Sequence, residues 1–145
     1  KHLLMSVATI LKAKGSYVFS VTSKSTVYDS LVFMSQKNIG ALLVIDDGKL
    51  TGILSERDYA RKIILKGKSS HDTLVEEIMT ENPITVSPDD EIDTCMNKMS
   101  EKKFRHLPVV ANGVVVGMIS IGDVVTHIIE TQKEVIGHLH NYIIQ

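Results

Sequence analysis

Apolar residues recur at spacings of three and four through Val27, Leu31 and Met34, and again through Ile92, Met96 and Met99. That spacing predicts two amphipathic helices. Two unbroken apolar runs, Ala41 to Ile45 and Leu107 to Val110, are too short for helices and read as buried strands. Each is followed by a pair, Asp47-Gly48 or Asn112-Gly113, that tolerates the positive φ of a two-residue hairpin turn. The returning strands, Leu50 to Leu54 and Val114 to Ile119, run straight into helices beginning at Glu56 and Ile121. Short extended pieces, Phe19 to Thr22 and Ile84 to Ser87, precede the first helix of each set, and Pro88 marks the turn in the second. The order is strand, helix, strand, strand, helix, twice. It predicts an α/β class with two small sheets covered by helices.

The elements repeat because the residues do. An ungapped register at an offset of about 65 residues runs over roughly 47 positions. It places Val21, Met34, Val44, Gly48, Gly52, Ser55 and Asp58 on Val86, Met99, Val109, Gly113, Gly117, Ser120 and Asp123. Upstream, Thr9-Ile10-Leu11 resembles Glu77-Ile78-Met79 after a further shift of about three. The chain is a duplication, expected to divide into a first repeat at 6–70, a second at 71–130 and a C-terminal helical extension at 131–145. In that extension Val125, Ile128, Gln132, Val135, Leu139 and Tyr142 keep helical spacing, and Ile129, Ile136 and Ile143 widen the stripe. So apolar a tail is expected to bury itself against a second copy, making a homodimer, rather than against its own chain. Gly137 weakens that helix by about 1 kcal/mol relative to alanine.

Composition narrows the function. The chain has 145 residues, 43% of them hydrophobic, and a formal net charge of -1. That suffices for a core but gives no general electrostatic reason to bind nucleic acid or an anionic membrane. A single cysteine, Cys95, excludes an internal disulfide, and the apolar runs are strand-sized. No charged region followed by a long apolar stretch marks a signal peptide, so a soluble cytoplasmic protein of a reducing compartment is expected. His138 and His140 are two apart and make a poor metal pair on a helix. Cys95 aligns with Ser30 on the amphipathic helix with no histidine spaced as a base, and reads as a buried inert thiol. The six methionines read as core filler. No nucleophile stands beside a base, so no enzyme is expected.

The junctions where the second hairpin strand becomes a helix can carry chemistry. They read Gly52-Ile53-Leu54-Ser55-Glu56-Arg57-Asp58 and Gly117-Met118-Ile119-Ser120-Ile121-Gly122-Asp123. A helix N-terminus offers free N–H groups to a phosphate, and Ser55 or Ser120 could add a hydroxyl. Asp58 or Asp123, one turn on, could accept from both hydroxyls of a ribose diol. Ser-x-x-Asp before an apolar run is equally the pattern of a capping box, which needs no ligand.

The duplicated Gly-x-x-Ser-x-x-Asp, the paired hairpins and Arg105-His106-Leu107-Pro108-Val109-Val110 together resemble the cystathionine β-synthase (CBS) domain, from about Thr9 to Ile129. That family pairs its domains into a Bateman module. The resemblance implies two pseudo-twofold-related β-α-β-β-α repeats sharing a core, with clefts between the sheets for adenosine nucleotides such as AMP, ATP or NAD. By position, Asp58 and Asp123 would hold riboses, while Ser55, Ser120, Arg57, Arg105 and His106 would approach phosphates. Groups near Ile39, Gly40, Ala41 and Leu42, and near Leu107 and Pro108, would read the adenine edge, with Val21, Thr22, Ile84 and Val86 nearby. The copies are unequal: Gly40-Ala41 stands where Arg105-His106 stands, and Ile121-Gly122 where Glu56-Arg57 stands. The implied function is a stand-alone regulatory module, with the nucleotide as a regulatory ligand and a protein it regulates as partner. The rival is a structural dimerisation module without a ligand.

Overall fold

In the computed structural model, which describes residues 6–144 and leaves the side chains of Tyr142 and Ile144 undescribed, both expected hairpins form. Strands β2 (Ala41–Asp46) and β3 (Lys49–Ser55) pair antiparallel around Asp47 and Gly48, at φ 50° and 78°. Strands β5 (His106–Ala111) and β6 (Val114–Ser120) do so around Asn112 and Gly113, at 52° and 78°. The turn chemistry alone sets these registers, because only such residues hold positive φ in succession cheaply. A bulge recurs at the same place in both, between Val44 and Ile45 and between Val109 and Val110.

The sheets then diverge. In the first, β1 (Ser20–Val21) pairs parallel with β2, and β4 (Thr80–Glu81) pairs antiparallel with β3, giving the order β1-β2-β3-β4. The second has two strands, with Val86 making one parallel bridge to Val109. Sequence reasoning did not anticipate β4, since two residues carry no period.

Helices α2 (Val27–Lys37) and α5 (Ile92–Lys102) occupy the predicted spans. Their inward faces differ from expectation by one position. Val27, Ser30 and Met34 are buried in α2, and Ile92, Cys95 and Met99 in α5, while Leu31 is half-buried and Met96 is exposed. Ser30 tolerates its position because its hydroxyl donates to Thr26 O at 3.0 Å. Met96 is therefore not core filler.

Two compact units result, Val18–Pro83 and a discontinuous one joining Lys1–Tyr17 to Ile84–Gln145. They do not follow the expected boundary between residues 70 and 71. Helix α1 (Val7–Lys14), expected in the first repeat, packs with the discontinuous unit, and α4 (Val75–Ile78), expected in the second, packs into the continuous one. Equivalent backbone bonds fix both. Val7 and Ala8 donate to Asp90 O and Pro88 O at 2.9 Å, whereas Val75 and Glu76 donate to Ser25 O and Ser23 O at 2.8 and 3.0 Å. The three-residue shift seen in the sequence is this equivalence. The buried apolar side chains form one cluster in each unit.

The repeated glycines have a packing reason. A Cβ on Gly52 would stand 2.8 Å from Thr80 O and Met79 Sδ, and one on Gly117 would stand 2.8 Å from Leu11 Cδ2. After β3 come α3 (Glu56–Tyr59) and a π-helical turn, Ala60–Ile64. After β6 a single helix, α6, runs from Ile121 to Ile144, so the expected extension is a continuation and not a separate element. Ile128 packs on the core, but Val125, Ile129, Val135, Ile136, Leu139 and Ile143 are 45–78% exposed. Among the described residues, no helix is long and apolar enough to cross a membrane.

Candidate functional site

The two strand-to-helix junctions are built alike. In the continuous unit Ala41 pairs with Ser55 across β2 and β3, and Glu56 N donates to Gly40 O at 3.1 Å. In the discontinuous unit His106 pairs with Ser120, and Ile121 N donates to Arg105 O at 2.9 Å. Each arrangement sets the start of the returning helix beside the start of the opening strand. Gly40, Ala41, Ser55 and Asp58 are thereby brought together in one unit, and Arg105, His106, Ser120 and Asp123 in the other.

Both serines cap. Ser55 Oγ accepts from Asp58 N at 3.2 Å, and Asp58 Oδ2 accepts from Ser55 N at 3.0 Å, a complete capping box. Ser120 Oγ accepts from Asp123 N at 3.1 Å, and Asp123 Oδ2 accepts from Ser120 N at 2.8 Å. Capping is real in both copies.

The surroundings of the two carboxylates differ. Asp58 Oδ2 also receives Ser55 Oγ at 3.1 Å, Oδ1 receives Thr80 Oγ1 at 3.3 Å, and Lys62 Nζ forms an ion pair with Oδ1 at 3.3 Å. Asp123 Oδ2 receives Lys14 Nζ at 2.7 Å, and Oδ1 has no hydrogen-bond partner among the described residues. The side chain of Asp58 is 11% exposed and that of Asp123 is 23% exposed. Burial alone would raise the Asp123 carboxyl; the Lys14 hydrogen bond, the Ser120 N–H and the Lys14 charge outweigh it and hold it below the usual carboxylate range. Burial lowers the His106 imidazole, with the Asp123 charge opposing and the Lys14 and Arg105 charges assisting.

Lys14 was not foreseen. It lies outside both motifs, at the end of α1, and its ammonium also donates to Met118 O at 2.9 Å. His127 occupies the register position of Lys62, four residues beyond the aspartate, so Lys14 supplies from another helix a cation that the second repeat's own sequence lacks. Nothing in the spacing of the motif points to it. Above the Lys14–Asp123 pair lies a groove of about 410 Å³ between α1 and α6, lined also by Thr9, Ala13, Thr126, His127 and Glu130.

The remaining expected residues do not line this groove. Val21 is a β1 residue, half-buried, and the exposed Thr22 hydroxyl lies 3.2 Å from Ser25 Oγ. Val86 exchanges backbone bonds with Pro108 and Val110, and Ile84 packs on the same cluster. Leu107 and Pro108 are buried, Ile39 is half-buried, and Arg57 and Arg105 are exposed. Cys95 is buried, and that burial with the Asp90 charge pushes its thiol up to about 11. Among the described residues no cluster of His, Cys, Asp or Glu could hold a metal ion.

Comparison with known proteins agrees with this architecture. The CBS domain family model matches residues 15–65 and 75–130. The mitochondrial CBS domain-containing protein CBSX3 of Arabidopsis thaliana is 40% identical over 148 residues, covering 95% of this chain and 71% of the relative. A solved CBS-domain protein from Burkholderia ambifaria MC40-6 is 48% identical at a TM-score of 0.85, covering 88% of this chain and 96% of that one. The CBS domain pair of protein MJ0100, solved with 5′-methylthioadenosine and S-adenosyl-L-methionine, is 30% identical at a TM-score of 0.75, covering 83% and 97%. With both repeats matched and the fold shared along their length, this chain belongs to the CBS domain family.

Proposed function

We propose that the chain is a regulatory CBS pair that binds an adenosine-containing ligand of the AMP, ATP or NAD type, consumes nothing, and signals occupancy to a protein partner. The observation that carries this reading is the duplicated junction, which sets a serine, a helix N-terminus and a carboxylate within one turn. The MJ0100 domain pair, solved with two adenosine compounds, supports it. Ser55 and Ser120, with Arg57, Arg105 and His106, would face a phosphate, and an aspartate would hold the ribose. Cys95, a buried thiol with its pKa pushed up, suits a reducing compartment such as the cytoplasm and offers no nucleophile.

The same reading includes a homodimer through α6. Val125, Ile129, Gln132, Ile136, Leu139 and Ile143 alternate at spacings of four and three, the seam of a two-stranded coiled coil. The exposed apolar residues of this helix present on the order of 600–700 Å², close to the roughly 800 Å² per partner of a stable interface. Removing Glu134 to Gln145 should lower the mass seen by light scattering.

The rival reading, a dimerisation module without a ligand, has one observation in its favour: both junctions are capped by their own residues. A thermal-shift panel of AMP, ADP, ATP, NAD, NADH and S-adenosylmethionine separates the two, since a ligand that binds only the native state raises Tm. A rise with one or more supports the regulatory reading; no rise and no heat by calorimetry at millimolar ligand supports the rival.

A further inference from the structure

Beyond Thr131, helix α6 leaves its own unit. Val124 is buried, Ile128 packs on the core and Thr131 is half-buried, but every residue from Gln132 to Asn141 is exposed. A projecting stretch of this length is marginal in water as an isolated helix. Gly137 and the β-branched Val135 and Ile136 weaken it further. The stretch therefore needs a partner along its length, and its exposed apolar area comes close to what each side of a stable interface buries.

The heptad positions say which partner. Ile129, Ile136 and Ile143 fall at a, and Val125, Gln132 and Leu139 at d. β-branched residues at every a, with leucine among the d residues, suit a parallel pair of strands. The flanking positions carry Thr126, Lys133 and His140 at e, and Ile128 and Val135 at g. With one lysine and no carboxylate, those flanks offer no charge pattern for a different helix to complement. An identical helix, set parallel, brings Lys133 across from an apolar g position.

Gln132 decides between the two orientations. In a parallel pair it meets its own counterpart, and each amide supplies both a donor and an acceptor. In the antiparallel register that aligns all six layers, Val125 would face Ile143, Ile129 would face Leu139 and Gln132 would face Ile136. That register buries an amide against an alkyl side chain and brings Lys133 toward Lys133 of the other copy.

We propose that α6 pairs with α6 of a second copy as a parallel two-stranded coiled coil, and that the paired Gln132 amides fix its orientation and register. The inference rests on the homodimer reading above and adds which ends meet. The two discontinuous units sit at the same end of the coiled coil, and the two Ile143 residues lie side by side at the other.

The test uses the full chain. Leu139→Cys and Ile143→Cys, made separately, should each give a disulfide-linked dimer on mild oxidation, because equivalent residues meet in a parallel seam. In the antiparallel register each would lie about 15 Å or more along the axis from its counterpart, beyond the roughly 7 Å between Cα atoms that a disulfide spans. The native chain, whose Cys95 is buried, should stay unlinked. Mass-tagged Ile129→Cys, equilibrated with Leu139→Cys before oxidation, should give no mixed disulfide. Gln132→Leu should tighten the dimer by about 10-fold or more in sedimentation, and the mixed disulfide should appear once it is added to both of those variants. A mixed disulfide with Gln132 in place overturns the parallel assignment and leaves the homodimer reading standing. A dimeric mass with neither kind of link puts the interface off α6 and overturns the coiled coil. An unchanged or weaker Gln132→Leu dimer overturns the part given to Gln132. If the native chain is monomeric by light scattering, the homodimer reading fails and takes this one with it.

Discussion

The continuous unit, Val18–Pro83, closes its sheet with a fourth strand, and its junction carboxylate meets Thr80 and Lys62. In the discontinuous unit the described residues form a two-stranded sheet, and the carboxylate meets Lys14 from the distant helix α1. Yet the cores correspond position by position, Val27 to Ile92, Ser30 to Cys95, Met34 to Met99, Leu42 to Leu107, Val44 to Val109 and Leu54 to Ile119. Duplication has kept the packing and let the polar shell around one aspartate diverge. Packing tolerates little change of volume, whereas a half-exposed ion pair is worth little to stability and is free to be reassigned.

The sharpest way to break the comparison is at the paired glycines. Gly52→Ala would drive a methyl against a backbone carbonyl, Thr80 O, which cannot retreat without moving β4. Gly117→Ala would meet only the tip of Leu11, which can turn aside. Urea unfolding should show a cost of about 3 kcal/mol for the first and about 1 kcal/mol for the second. Equal costs would mean that the two helix–hairpin contacts are equally rigid.

Next come the aspartates as stabilising groups. Asp58→Asn turns an amide N–H₂ toward Lys62 or Ser55 and should cost about 1–3 kcal/mol. Asp123→Asn, with one oxygen uncommitted, should cost under about 1 kcal/mol in the absence of ligand. A larger loss at Asp123 would reverse which junction is held by its own chain.

The hairpins, helices and junctions were legible because their signals are local. Asp-Gly and Asn-Gly specify a turn whatever surrounds them, and a serine three residues before an aspartate specifies a cap. The inward faces of α2 and α5 were misplaced because a serine at position 30 looks solvent-facing until its bond to Thr26 O is seen. The exchange of α1 and α4 was visible only as a three-residue shift, since pairing between distant segments leaves no periodicity. Lys14 left no trace at all: it lies more than a hundred residues from the aspartate it meets.

The equivalent core positions Ser30 and Cys95 give a smaller test. Cys95→Ser places a hydroxyl where Glu91 O already accepts from the backbone four residues on, the geometry Ser30 uses. Its cost should stay near 1 kcal/mol by urea unfolding. A cost well above that would show that the second core has no room for the bond the first one makes.

The smallest expected effect is on pH. His106 and Asp123 are both held below their ordinary values in the folded state, so on acidification the unfolded chain takes up protons first. Stability should be flat between about pH 6.5 and about pH 8, decline below that range as unfolded His106 charges, and decline again below about pH 4 as unfolded Asp123 protonates. His106→Gln should remove the upper decline from a Tm–pH series and leave the lower one. The continuous unit has Ala41 at the equivalent position.

The placement of α1 has a consequence for how the chain comes off the ribosome. Val18–Pro83 is one uninterrupted stretch and can complete its packing as soon as Pro83 has emerged. The other unit must hold α1 unpaired until β6 and the start of α6 are made, more than a hundred residues later. Its Val7, Ile10 and Leu11 stay uncovered through most of synthesis, and its closure is the long-range, slow step. Arrested nascent chains ending just past Pro83 should already resist protease across Val18–Pro83 while α1 remains cleavable.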